Sequence, residues 1–272
     1  MDKLNFLTAG LPLATGNKGY ESGLNILKEL KLDGLELEFV HGVRISEQGK
    51  TVVKQSQLIK TAHAPFYINL NSKEEEKIEA SVERIIETAN TANELNAYSI
   101  TFHAGFYMGD DKETTYKKIQ QQVKKIENEL TKTNNKIWIR PETTGKSTQW
   151  GDLDEVIRLS KDFEYVLPCI DFSHLHARYN GEHNTYDEFS RIIETIGNEL
   201  GSNALENFHA HLAGIDYSSK GEKRHLNLKN SDMNYKSLLQ VLKTFDIRGV
   251  LVCESPNIEE DCILLKEYYH TL

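Results

Sequence analysis

Two rhythms of apolar and polar positions alternate along the chain. Short apolar runs rich in β-forming residues occupy Leu4–Thr8, Gly34–Val40, Leu58–Ala64, Tyr98–Ala104, Lys136–Glu142, Tyr165–Phe172, Phe208–Ala213 and Gly249–Glu254. Their lengths suit buried strands. Between them the apolar residues recur at spacings of three and four. Ile78, Val82, Ile85 and Ile86 mark one face of a helix over Lys73–Leu95. The same periodicity predicts helices at Lys112–Thr133, Leu153–Lys161, Tyr186–Leu200, Tyr235–Phe245 and Glu259–Tyr269. A further helix is predicted near Tyr20–Leu30, and Ser46–Gln57 carries the weakest helical pattern.

Strands that alternate with helices imply a parallel sheet joined by crossovers. Eight such units close into a barrel more naturally than they lie in an open sheet. An open sheet would usually bring a Gly-rich phosphate loop after an early strand. Neither GxGxxG nor GxxxxGK[ST] occurs, and Gly10, Gly16 and Gly19 are too irregular to serve. The expected fold is α/β, a (β/α)8 TIM barrel, with residues 1–272 forming one domain and the active site at the C-terminal ends of the strands.

Composition leaves that expectation in place. The chain has 272 residues, close to the roughly 250 such a barrel uses. It is 39% hydrophobic and has only five prolines, with no Pro/Gly/Ser-rich linker. No apolar run approaches the roughly 20 residues that span a bilayer, so no membrane partner is expected. The opening MDKLNFLTAG is too short and mixed for a signal peptide, which predicts a cytoplasmic protein. The three cysteines, Cys169, Cys253 and Cys262, form no CxxC pair and predict neither disulfides nor a zinc ribbon. The net charge of -9 argues against a phosphate-rich partner, unless many of the carboxylates hold cations.

The unusual residues fall where strands end. His63 closes the third strand in TAHAPF, and His103 the fourth in TFHAG. Glu142 follows in IRPETTG, Asp171 with His174 in CIDFSH, His209 and His211 in FHAHLAG, and Glu254 in LVCESPN. His225 lies in the polar loop GEKRHLNL. Any one of them has an ordinary explanation as a hydrogen-bonded histidine or a helix cap. Together they bring a histidine or carboxylate from six consecutive strands to one rim. Buried carboxylates without partners cost several kcal/mol, roughly, and divalent ions are the economical way to hold them. Mixed imidazole and carboxylate donors suit Zn2+, Mn2+ or Fe2+ better than Mg2+ or Ca2+. His211 is taken as inward-facing and His209 as outward packing. His176 is expected behind the ligands, and His41, His183 and His270 at the surface or in loops.

In order, these motifs resemble endonuclease IV, the metal-dependent abasic-site nuclease of the xylose isomerase-like barrel superfamily. The resemblance runs from about His63 to Glu254, through HAPFYINL, His103, PETTGK with TQWG, Asp171 with His174, His211, Arg224–His225 and the ESP of Glu254. It implies two to three zinc ions. The first would be held by His63, His103 and Glu142. The second would be held by Glu142, Asp171, His211 and Glu254, with Glu142 bridging. The third would be held by His174, His225 and an acid of the same loop. It also implies hydrolysis of the phosphodiester 5′ to an abasic site, leaving a 3′-hydroxyl, with Glu142 catalytic. DNA contacts would come from Lys220, Lys223 and Arg224 on phosphate, from Phe66 and Tyr67 as a wedge, and from Arg44. A monomer is expected.

The chain departs from the family in two places. Lys223 stands where the family has an Asp two residues before the last His, which leaves Glu222 as the nearest acid. The opening strand reads TAGLPLATG in place of a G-x-H-x-S stretch. The main rival is a sugar isomerase or epimerase of the same superfamily, with one metal on Glu142, Asp171, His211 and Glu254. It leaves His63, His103, His174 and His225 unused. A non-catalytic binding barrel would need no such density of ligands.

Overall fold

The computed structural model describes residues 1–272. Strands β1 (Leu4–Ala9), β2 (Gly34–Glu38), β3 (Ile59–His63), β4 (Ser99–Phe102), β5 (Trp138–Pro141), β6 (Ile170–Asp171), β7 (Phe208–Leu212) and β10 (Gly249–Cys253) form one sheet in the order β5-β4-β3-β2-β1-β10-β7-β6. Every pairing in it is parallel. Single parallel bridges from Ile139 to Val166 and from Glu142 to Cys169 join its two ends. Eight parallel strands with helices between them are the fold expected from the sequence. Regular pairing of β6 covers only Ile170–Asp171, against the expected Tyr165–Phe172, because Pro168 has no N–H to give to a ladder.

The helices are α1 (Gly19–Glu29), α2 (Glu47–Gln55), α3 (Glu75–Glu94), α4 (Lys112–Lys132), α5 (Leu153–Ser160), α6 (Phe172–Arg178), α7 (Tyr186–Leu200), α8 (Ser202–Glu206), α9 (Tyr235–Thr244) and α10 (Glu259–Thr271). Polar residues that compete with helical backbone bonds set several starts. The Ser46 side chain accepts from Gly49 N–H and begins α2, the helix with the weakest pattern. Asp152 with Glu155, and Thr185 with Glu188, form capping boxes at α5 and α7. None of the helices is long and apolar enough to cross a membrane.

Strand periodicity sorts the core into two layers. Leu35, Leu37, Ala62, Ile100, Phe102, Ile139, Ala210, Leu212 and Leu251 belong to one large apolar cluster with residues of the helices. The residues alternating with them turn into the barrel. There Leu7, Val250 and Val252 make a small separate apolar cluster, and much of the remaining filling is polar: Glu36, Thr61, His63, Thr101, Glu142, His209 and His211, all buried. This corrects the reading of His209 as outward packing. Residues two apart on a strand share a face, and the rings of His209 and His211 lie side by side with centroids 5.1 Å apart.

Besides the short helix α8, the sequence pattern did not predict α6 or the two strands that follow β7. Asp171 ends β6 and immediately caps α6, its Oδ1 accepting from His174 N–H at 2.7 Å. The segment read as a polar loop is an antiparallel hairpin of β8 (Gly214–Ser218) and β9 (Gly221–Leu226).

Candidate metal centre

Glu142, one residue past β5, is the hub of the strand-end cluster. Its Oε2 lies 3.3 Å from His63 Nε2. Its Oε1 lies 3.3 Å from His103 Nε2, 3.2 Å from His174 Nδ1 and 3.4 Å from His211 Nδ1. Further out, Glu254 Oε1 is 3.2 Å from His211 Nδ1, and Asp171 Oδ2 is 3.2 Å from His174 Nδ1. His174 Nε2 faces His225 Nε2 at 3.5 Å and Glu222 Oε2 at 3.6 Å. All of these but Asp171 and His211 line a cavity of about 450 Å³, with Glu38, Phe66, Ser255, Pro256 and Ile258 among its other walls.

Most of these rings are held from behind. His63 Nδ1 lies 2.7 Å from the Ala64 carbonyl oxygen, His174 Nδ1 3.0 Å from that of Thr143, and His225 Nδ1 3.3 Å from that of Glu254. A carbonyl only accepts, so each Nδ1 carries a proton and Nε2 is the ring atom aimed into the cavity, the one free to ligate once it is deprotonated.

The donor set fits divalent ions. Donor atoms of His63, His103 and Glu142 lie within 4.8 Å of one another, as do those of Glu142, Asp171, His211 and Glu254, and those of Asp171, His174 and His225. Glu142 Oε1, Asp171 Oδ2, Glu254 Oε2 and His211 Nδ1 are all buried without a partner in hydrogen-bonding geometry. Buried polar atoms are normally satisfied, and four orphans in one cluster at the floor of the cavity are what a set of cations would complete. Electrostatics agrees. Burial pushes Asp171 up to about 6, with His174 opposing and the charges of Glu254 and Glu142 adding to it. Burial also raises Glu142, but the surrounding imidazoles, His103 and His211 foremost, outweigh it and hold its carboxyl well below the ordinary value.

Burial likewise opposes a charged His63, yet Glu142 and then Glu38 and Glu36 hold its pKa up at about 10. The metal-free ring is therefore protonated at neutral pH, and a cation must displace that proton. Adding Zn2+ to metal-free protein at pH 7 in weak buffer is expected to acidify the solution. An unchanged pH would remove His63 from the ligand set.

The rim residues are placed unevenly. Phe66 is 59% exposed and forms part of the cavity wall. Tyr67 is 64% exposed but stands outside that wall. Lys220 sits exposed at the hairpin turn, and Arg44 is exposed in the loop after β2. Lys223 and Arg224 are exposed and lie 3.4 and 3.6 Å from Asp216 on the neighbouring strand. His41 and His270 are exposed, while His183 is half-buried. His176 is buried away from the cavity wall, with Nε2 3.2 Å from Asp232 Oδ1. Two acids of β2 went unnoticed in the sequence. Glu36 is fully buried beneath the cluster, and Glu38 lines the cavity. Their signal was present in GLELEF: charges two apart in an otherwise apolar strand share its inner face.

Against known proteins, residues 24–268 match a family model described as a xylose isomerase-like TIM barrel. An uncharacterised protein of Methanocaldococcus jannaschii is 43% identical over 271 residues, covering 99% of this chain and 98% of the relative. A probable endonuclease 4 of Mycoplasma pneumoniae is 26% identical over 219 residues, covering 78% and 74%. Among solved structures, a D-tagatose 3-epimerase-like protein superposes with a TM-score of 0.74 at 19% identity, covering 97% of this chain and 98% of that one. At that identity the likeness is one of fold.

Proposed function

We propose that this chain, which belongs to the xylose isomerase-like TIM barrel family, is a cytoplasmic zinc-dependent endonuclease that cuts DNA 5′ to abasic sites and leaves a 3′-hydroxyl. The observation that carries this reading is the overlap of three ligand sets in one cluster, sharing Glu142 and Asp171. One ion on Glu142, Asp171, His211 and Glu254 would leave His63, His103, His174 and His225 without a task. The probable endonuclease 4 of M. pneumoniae supports the same reading.

Ions bound there would supply Lewis acidity, drawing charge from a phosphodiester and making water a usable nucleophile near neutral pH. The protein's residues do the rest. Glu142 sits between two ligand sets and spaces them. The carbonyl tethers of His63, His174 and His225 fix each ring with Nε2 toward the cavity before anything binds, so only a proton, not the ring, has to move. Phe66 presents an exposed aromatic face beside the cluster, suited to filling the gap left by a missing base. Lys220 and Arg44 offer positive charge at the rim for the flanking phosphates, and the chain would act as a monomer.

Incubation with a duplex containing one abasic site tests this directly. Cleavage 5′ to the lesion is expected, lost on chelation and restored by Zn2+, with about three ions per chain in the active protein. Intact DNA under every metal condition would remove the nuclease reading. The single-metal sugar isomerase or epimerase remains the second reading, because Glu142, Asp171, His211 and Glu254 form a complete ligand set alone. It requires one ion per chain and no cleavage.

A further inference from the structure

His211 is tethered unlike the rings of His63, His174 and His225. Its Nδ1 faces Glu142 and Glu254, so its Nε2 points back into the barrel. There it meets a carboxylate: Glu36 Oε1 lies 3.1 Å from His211 Nε2. Glu36 is fully buried; its Oε1 and His211 Nε2 are close without being in hydrogen-bonding geometry, and its Oε2 has neighbours of its own. Thr61 Oγ1 donates to Oε2 at 2.7 Å, and His209 Nε2 lies 3.2 Å from the same oxygen. His209 in turn has Nδ1 3.0 Å from Ser99 Oγ. A polar layer drawn from β2, β3, β4 and β7 thus lies directly beneath the ligands.

An isolated carboxylate there would be costly, and nothing in the barrel fold requires one. Its geometry has a use. When a cation takes the Nδ1 lone pair on the side of Glu142 and Glu254, the one remaining ring proton sits on Nε2, 3.1 Å from a carboxylate that can only accept. A carboxylate behind a ligating imidazole also makes the ring a stronger donor than a carbonyl does. We propose that Glu36 is a positioning residue for metal: it fixes the tautomer and orientation of His211 and sets the affinity of the ion held with Glu142, Asp171 and Glu254. His209 and Thr61 hold Glu36 in place. The inference rests on the metal-centre reading but not on the substrate.

The test is metal binding by the intact chain without DNA. Glu36→Gln keeps the shape but removes the charge and offers one acceptor oxygen to two imidazoles. Competition with a chelator is expected to show one ion bound about 10- to 100-fold more weakly, while the remaining ions keep wild-type affinity. Wild-type affinity throughout would overturn the proposal. So would a lower thermal stability of the metal-free variant with no change in ion affinity, since that marks a structural role. Should the variant fail to fold, the wild-type protein decides. In its zinc-loaded form, nitrogen-15 NMR is expected to place zinc on Nδ1 of His211 and a downfield-shifted proton on Nε2. Zinc on Nε2, or no zinc on His211, would overturn the inference. Cleavage of an abasic duplex is scored separately, so loss of the nuclease reading with these results intact leaves Glu36's role standing.

Discussion

Glu142→Gln is expected to abolish cleavage of an abasic duplex, by at least about a thousandfold, at the upper end of what removing one electrostatic element from an active site costs. Glu142 is the residue on which the imidazoles of His63, His103, His174 and His211 converge, at 3.2 to 3.4 Å. Both of its oxygens are used, one toward His63 and the other toward the remaining three rings. Glutamine is the same size, but only one of its terminal atoms donates a lone pair. The bridge between the first two ligand sets is therefore lost, and an N–H group points into the space meant for a cation. Bound zinc should fall with activity. The fold should survive, because the sheet pairs with Glu142 through its backbone, whose N–H donates to the Phe102 carbonyl and which bridges to Cys169, and the one side-chain bond to a strand, from Thr101 Oγ1 to Oε2 at 3.3 Å, is one a glutamine oxygen can still accept. Incision kinetics, zinc content and far-ultraviolet circular dichroism measured on the same preparation check all three. A Gln variant that cuts at the wild-type rate would show that the reacting centre lies elsewhere.

The cluster was legible because chemistry-bearing residues stood at strand ends, where apolar periodicity breaks off. His63, His103, Glu142, Asp171 and Glu254 each close a run that packing explains, and packing explains nothing about them. What escaped was set by facing and by hydrogen bonds that a linear pattern hides. Glu36 lies inside a strand, where the eye expects alternation between core and solvent. In a barrel both faces are buried, so a charge inside a strand marks the interior. His209 was misplaced by the opposite slip, since a residue two away from an inward one must also turn inward. Helix α6 was invisible because Asp171 is a strand terminus and a helix cap at once. Without that cap His174 would be a loop residue. As it is, the first turn of α6 puts its ring 5.4 Å from that of His103 and 5.5 Å from that of His225.

The hairpin holds the other large prediction: Glu222→Ala should cost the protein one ion, and Lys223→Ala should cost it none. On an unbroken strand the residue two before His225 shares its face, and that residue is Lys223, a cation. The hairpin is not unbroken. Ile215 pairs with His225 and Asp216 with Arg224, but Tyr217 pairs with Glu222, so Lys223 is the extra residue of a bulge. A bulge shifts the alternation by one. Glu222 thereby takes the face of His225 and brings Oε2 to 3.6 Å from His174 Nε2, while Lys223 turns out to Asp216. Gly145 makes room for this, since a Cβ there would lie 2.7 Å from both the Cβ and Oε2 of Glu222. Elemental analysis of Glu222→Ala should therefore show one ion fewer per chain, and cleavage slower by about 10- to 100-fold. Gly145→Ala should lower metal content in the same direction by pushing Glu222 away. Unchanged zinc in Glu222→Ala would mean that Asp171, His174 and His225 suffice alone. Zinc lost from Lys223→Ala would mean that the bulge does not set the face.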